Sequence, residues 1–205
     1  MSCAYPLVAP SNRSAERSAP ASDTTLMAAT AAGDRMALRT LYARHHVQVY
    51  RFLLRLVHNE AVAEDLLADV FLDVWRKADR FAGRSQVTTW LLAIARHKAL
   101  SVLRRPMTEV LDDDAAERIE DPADNAEAAL GKRETHAALR HSLKELSPAH
   151  REIVDLVYYH GRTIEAAAAI IGVPLGTAKT RMFYARKQLR SAMAARGEPT
   201  LEASY

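Results

Sequence analysis

The sequence predicts an all-α protein of two small helical domains joined by an acidic flexible linker. Three observations predict it. Apolar residues recur at three- and four-residue spacing in both halves of the chain, which is the period of one helix face. No run alternates apolar and polar residues as a half-buried strand does. The stretch from Pro106 to Gly131 holds nine acidic residues and a single arginine, a self-repelling composition that stays extended rather than forming a core. A length of 205 residues accommodates one medium or two small domains.

The elements follow in order. Residues 1–23, a mixture of Ser, Pro, Ala and Arg, read as a disordered tail. The Asp23-Thr24-Thr25 cluster can cap a helix start. Leu38, Leu41, Tyr42, His45, Val49, Phe52, Leu53 and Leu56 then fall on one face of a long helix. His58-Asn59 marks a break. A second helix runs from about Ala61 to Ala78, with Val62, Leu66, Leu67, Val70, Phe71, Val74 and Trp75 as its apolar set. A third runs from near Thr88 to about Arg105, with Trp90, Leu91, Ile94, Ala95, Leu100 and Leu103 apolar. Pro106 ends it, since proline cannot continue the hydrogen-bond ladder. These helices make a first domain, 24–106, followed by the linker, 107–131.

The second domain spans 132–195. It opens with a helix over about 132–146. Ser147-Pro148 starts the next, with a serine cap and a proline in the first turn. That helix carries Ile153, Val154, Leu156 and Val157 and stops at His160-Gly161. Thr163 caps a short Ala-rich helix ending at Ile171-Gly172. Val173-Pro174-Leu175-Gly176 reads as a turn, and a last helix runs from about Thr177 to Ala194. Residues 196–205 form a tail.

Composition narrows the function classes. Cys3 is the one cysteine, so neither an intrachain disulfide nor a cysteine-based zinc site is expected, and a reducing cytoplasm is the expected compartment. No stretch approaches the roughly 20 apolar residues of a membrane span, and the start lacks the apolar run of a secretory signal. No nucleophile, base or metal-ligand set clusters in the sequence. A catalytic site, a metal, a cofactor and a small-molecule substrate are therefore not expected, and the chain does not read as an enzyme. Outside 106–131 the chain carries 27 basic and 16 acidic residues. Two basic bodies suit a polyanionic partner, although charge alone fits a solvated surface equally well.

Three constellations carry function. In the last 70 residues, two helices flank a tight turn, the arrangement of a helix-turn-helix. At 100° per residue, Ala178, Met182, Ala185 and Leu189 gather within about 60° as a packing stripe. The opposite face shows Thr180, Phe183, Tyr184 and Lys187, flanked by Thr177, Lys179 and Arg190. Hydroxyls, rings and cations on one exposed face suit base edges and phosphates. On the Ala61–Ala78 helix, Asp65, Asp69 and Asp73 form an acidic ridge opposite the core stripe, with Leu72 beside them. The ridge reads either as a docking site for a basic protein surface or as a solvated face. The third set runs from Phe81 to Arg105: Arg84, Ser85, Thr88, Thr89 and Trp90, then Arg96, His97 and Lys98. It resembles a single-strand stacking and phosphate surface, with Trp90 reading as a core anchor at least as readily. His45-His46 invites a metal reading, but His45 lies on the apolar stripe, where a buried structural histidine is expected instead.

The segment Ala63-Glu-Asp-Leu-Leu-Ala-Asp-Val-Phe-Leu-Asp-Val-Trp-Arg-Lys-Ala-Asp-Arg-Phe81 resembles region 2 of the extracytoplasmic-function (ECF) sigma factors of the sigma-70 family. So does Thr89-Trp-Leu-Leu-Ala-Ile-Ala-Arg-His-Lys-Ala-Leu100. Leu146-Ser-Pro-Ala-His-Arg-Glu-Ile-Val154 and Ile171-Gly-Val-Pro-Leu-Gly-Thr-Ala-Lys-Thr-Arg181 resemble region 4. The resemblance implies a factor that directs bacterial RNA polymerase core to promoters and helps melt them. Asp65, Asp69, Leu72 and Asp73 would dock on the clamp of the largest polymerase subunit. Arg80, Arg84, Ser85, Thr88, Thr89, Trp90, Arg96, His97 and Lys98 would bind and open the −10 element. Thr177, Lys179, Thr180, Arg181, Phe183, Tyr184 and Lys187 would read the −35 element, with their domain seated on the flap of the second-largest subunit. The acidic linker would thread toward the active-site and RNA-exit path. An anti-sigma factor is the implied regulator. Relatives often carry Arg at the position of Tyr184 and Ser at that of Thr180, so a different −35 sequence is implied. A two-domain DNA-binding regulator acting without polymerase is the rival reading; an all-helical adaptor leaves the basic recognition face unexplained.

Overall fold

The computed structural model describes residues 21–104, 141–143 and 145–195. The acidic linker, the terminal tails over 1–20 and 196–205, and most of the helix expected over 132–146 lie outside the described residues. Among the described residues there is no β-strand.

The first group of helices comprises α1 (Asp23–Ala31), α2 (Arg35–Val57), α3 (Glu60–Lys77) and α4 (Val87–Leu103), with a 3₁₀ turn at Ala78–Arg80 after α3. One long first helix was expected; two are found. Gly33 adopts φ +91°, which breaks the ladder at low cost because it has no Cβ. Asp34 then caps α2, its Oδ1 accepting from Met36 N at 2.7 Å and Ala37 N at 3.2 Å. The cap of α1 is Ser22, whose Oγ accepts from Thr25 N, rather than the following Asp-Thr-Thr. Asp23 instead ties α1 to α2, pairing with Arg44 at 2.7 Å and His45 Nε2 at 2.8 Å.

The break at His58-Asn59 is as expected. His58 takes a left-handed conformation, φ 52°, and Asn59 Oδ1 caps α3 through Val62 N at 3.0 Å. Leu41, His45, Val49, Phe52 and Leu53 are buried along α2, with Leu38 and Leu56 half-buried against them. Tyr42 departs from the stripe. It is exposed, stacked on His46 with its edge toward Phe71. Ala63, Leu66, Leu67, Val70, Phe71 and Val74 supply the face of α3, and Leu91, Leu92, Ala95 and Ala99 that of α4. Each large side chain removed from water contributes about 1.5–3 kcal/mol, which holds the four helices together.

The second group comprises α5 (Pro148–Val154), a widened π-helical turn over Asp155–Tyr159, α6 (Ile164–Ile171) and α7 (Leu175–Ala194). Ser147 Oγ accepts from His150 N, and Thr163 Oγ1 from Ala166 N, so both expected caps are in place. Gly172 ends α6 with φ 74°. The connection to α7 is tighter than expected: Leu175-Gly176 is not a turn but the first turn of the helix, entered from Pro174. Proline can stand at that boundary because its missing N–H has no partner there anyway.

The two groups pack on each other, α4 running against α6, and their buried residues form one hydrophobic cluster. The sequence spacing gave no sign of this seam.

Candidate polymerase and nucleic-acid interfaces

Helix α7 separates its faces. Ala178, Met182 and Ala185 are at most 2 % exposed, and Leu189 is half-buried against them. Thr177, Lys179, Thr180, Phe183, Tyr184, Lys187 and Arg190 are exposed, while Arg181 is half-buried. Phe183 is 65 % and Tyr184 49 % exposed, their rings 5.4 Å apart and edge to face. Burial of the small stripe seats α7 close against α5 and α6, which leaves the opposite face standing out as a ridge. Two polar contacts hold its orientation: His150 Nδ1 lies 3.1 Å from Gln188 Oε1, and Arg186 Nε donates to Tyr158 Oη at 3.0 Å. Thr180 Oγ1 donates to Gly176 O within the helix. Near the start of α6, Glu165 is held below the usual carboxylate range by hydrogen bonding to its own backbone and to Thr163, with Lys179 of α7 adding attraction.

The acidic ridge on α3 is uneven. Asp65 and Asp69 are exposed, and Leu72 stands 43 % exposed beside them. Asp73 turns inward and pairs with Lys77 Nζ at 3.0 Å and Lys98 Nζ at 3.2 Å. Lys98 also approaches Asp69 Oδ2 at 3.8 Å. Partial burial pushes the Asp73 carboxyl up, but hydrogen bonds from Lys77 and Lys98 outweigh this and keep it low. The ridge and α4 are thus joined by one ion network.

The residues expected at the −10 element divide into three groups. Arg80, Arg84, Ser85 and His97 are exposed. Thr89 is buried at 4 % exposure, and Trp90 is half-buried with its ring against Phe81, centroids 5.7 Å apart. Trp90 therefore packs at the entry to α4. Thr88, Arg96 and Lys98 are occupied. Arg162 Nη1 donates to Thr88 Oγ1 at 2.5 Å and to Gln86 Oε1 at 3.1 Å. Arg96 donates from Nε to Glu152 Oε1 at 2.5 Å and from Nη2 to Oε2 at 3.2 Å.

Several residues of this seam were not singled out by the sequence as partners across it: Arg55, Glu152, Asp155, His160 and Arg162. Arg55 pairs with Asp155, 100 positions away, so no local pattern could have joined them. His45 is buried and bonded to Asp23, in keeping with its place on the apolar stripe of α2. Among the described residues, no group of three His, Cys, Asp or Glu side chains is placed to hold a metal, and no helix is long and apolar enough to cross a membrane.

Comparison with known proteins converges on one family. The Sigma-70 region 2 model matches residues 41–107, and the Sigma-70, region 4 model matches residues 142–191. The chain is 35 % identical over 173 residues to the RNA polymerase sigma factor CarQ of Myxococcus xanthus, covering 83 % of this chain and 95 % of that one. It is 33 % identical over 171 residues to the ECF RNA polymerase sigma factor SigM of Mycobacterium tuberculosis, covering 82 % and 83 %. Among solved structures, the sigma factor RpoE of Bartonella quintana, crystallised with the anti-sigma factor NepR, aligns with a TM-score of 0.57 at 29 % identity over 76 % of this chain and 96 % of that one. CnrH, in complex with the cytosolic domain of CnrY, shares the fold with a TM-score of 0.61 at 23 % identity, covering 84 % and 97 %. With region 2 and region 4 in order and relatives matched over 83 % and 95 % of their length, the chain belongs to the extracytoplasmic-function sigma factors of the sigma-70 family.

Proposed function

We propose that this sigma factor brings RNA polymerase core to its promoters by dividing the work between its two helical groups. The first, residues 24–106, docks on the polymerase clamp through Asp65, Asp69 and Leu72 and engages the −10 element. The second, residues 132–195, reads the −35 element and sits on the polymerase flap. The acidic segment 107–131 joins them. The observation that carries this reading is α7 itself: a packed stripe of Ala178, Met182 and Ala185 behind an exposed ridge of hydroxyls, rings and cations. Phe183 and Tyr184 present more apolar ring surface than water favours, and a DNA groove offers thymine methyls and base edges. Lys179, Lys187 and Arg190 flank them as phosphate partners.

At the −10 element, exposed Arg80, Arg84, Ser85 and His97 are the first contacts, with Arg96, Thr88 and Lys98 joining once their present partners release them. Thr89 and Trp90 shape the loop from beneath. The protein works by binding, not chemistry: melting costs a few kcal/mol per unstacked step, offset by contacts to the exposed strand. RpoE of B. quintana was crystallised with an anti-sigma factor, which supports regulation of this chain by a partner of that kind, and the site of action is the cytoplasm.

Run-off transcription with purified core polymerase, on sheared DNA from the source organism, tests the proposal. New discrete transcripts that require the protein are expected. Tight duplex binding by the protein alone, with no transcripts, would overturn it in favour of a regulator that acts without polymerase.

A further inference from the structure

The seam between the two groups is a place where acids of one cover cations of the other. Glu152 and Asp155 stand three positions apart, on successive turns, so their carboxylates leave the same side of the helix. Glu152 takes both hydrogen bonds from Arg96 of α4. Asp155 pairs with Arg55 of α2, whose guanidinium lies 3.7 Å above the Tyr159 ring. Asp155 Oδ2 also faces His160 Nε2 at 3.3 Å, and the His160 ring stands edge-on to buried Phe52. Beside this cluster, Arg162 reaches across to Thr88 and Gln86.

On its side of the seam, the first group thus offers two guanidinium forks, a hydroxyl and the amides of Gln86 and Gln48, the latter donating to His160 O. Guanidinium matches carboxylate and phosphate with the same paired geometry. Hydroxyls and amides on such a face are further partners for a sugar–phosphate backbone.

We infer that the Arg55–Arg96 face is a phosphate-backbone site for the promoter strand, occupied here by Glu152 and Asp155 as internal substitutes for two phosphates. The inference rests on the −10 role proposed for Arg96 and Thr88, and it adds Arg55, on a different helix, to that surface. Its consequence is competition. A strand laid across α2 and α4 and the second helical group claim the same cations, so the group must swing away before the site can fill. The free chain therefore binds single strands weakly, and anything that draws the second group off the seam strengthens that binding.

The test uses the full chain without polymerase, a fluorescein-labelled single-stranded oligodeoxythymidine as probe, and a donor–acceptor dye pair with one dye on each helical group. E152Q/D155N keeps the side-chain shapes and removes both acids. It is expected to lower energy transfer between the groups and to tighten oligonucleotide binding by about tenfold. Adding R55Q to that variant should abolish most of the gain while leaving the groups apart. If E152Q/D155N separates the groups but binds the strand no better, or if R55Q does not reduce the gain, the site is refuted. Unchanged energy transfer and unchanged binding refute it equally. Should the double variant lose helical content, E152Q alone is read by the same criteria. Run-off transcription by the wild-type chain separates the two ideas: no transcripts defeats the proposed function, whereas transcripts combined with an R55Q-insensitive strand affinity defeat this inference alone.

Discussion

Arg96 of α4 and Glu152 of α5, 56 positions apart, meet through two hydrogen bonds of 2.5 and 3.2 Å. Their side chains are 20 % and 12 % exposed, so neither charge is fully hydrated and each depends on the other. Removing either partner alone leaves a partly desolvated charge, while removing both does not. The single changes Arg96→Ala and Glu152→Ala are therefore expected to lower stability by more than their combination implies, with a coupling of about 1 kcal/mol. Urea unfolding of the four proteins of that cycle measures it. Additive losses would show that the pair contributes nothing to closure.

Lys187 is exposed on α7. Lys187→Ala should weaken binding to −35 duplex DNA and lower the slope of log affinity against log salt by about 1, the signature of one lost phosphate contact. Circular dichroism should not change, because the stripe that packs α7 is on the other side. Promoter affinity equal to wild type at every salt concentration would remove Lys187 from the interface.

Asp69 and Asp73 are adjacent on the ridge but are expected to fail differently. Asp69 has a side chain 60 % exposed, so Asp69→Arg should abolish co-purification with core polymerase while the helical content stays intact. Asp73 is bonded to Lys77 and Lys98, so Asp73→Asn should loosen α3 from α4 and lower the thermal midpoint. Normal co-purification of the Asp69 variant, or an unchanged midpoint for the Asp73 variant, would contradict this division.

Acid sensitivity follows from Asp23. Burial pushes its carboxyl up, but Arg44 and His45 more than reverse this and hold it below the ordinary range. A carboxyl that is more acidic when folded stabilises the fold above its unfolded pKa, and that stabilisation fades as the pH drops through the folded value. The loss is thus expected below about pH 4. Asp23→Asn should flatten the fall of the thermal midpoint across that range. Parallel curves for the two proteins would mean that Asp23 contributes no pH dependence.

Local chemistry explains how much was legible beforehand. Helix ends are written in single residues: Ser147 and Thr163 each bond an N–H three positions on, so a reading of neighbours finds them. The packed stripe of α7 was equally legible, since a 3.6-residue period fixes which side chains share a face. The break at Gly33-Asp34 was missed because the apolar period gave no sign of it, whereas a left-handed glycine and an aspartate cap interrupt the backbone at once.

The sequence by itself determined most of the helices, their buried faces, the family and the exposed ridge of α7, because each rests on spacing within a few turns or on motifs read in order. Only the tertiary structure decided which charges are free. Asp73 and Lys98 stand 25 positions apart, Thr88 and Arg162 farther, and the partner of Arg55 lies 100 positions away; each became occupied when helices from distant parts of the chain met. An ion pair of this kind depends on a distance of a few ångströms, and that distance is set by the packing of helix on helix, which spacing along one helix does not contain.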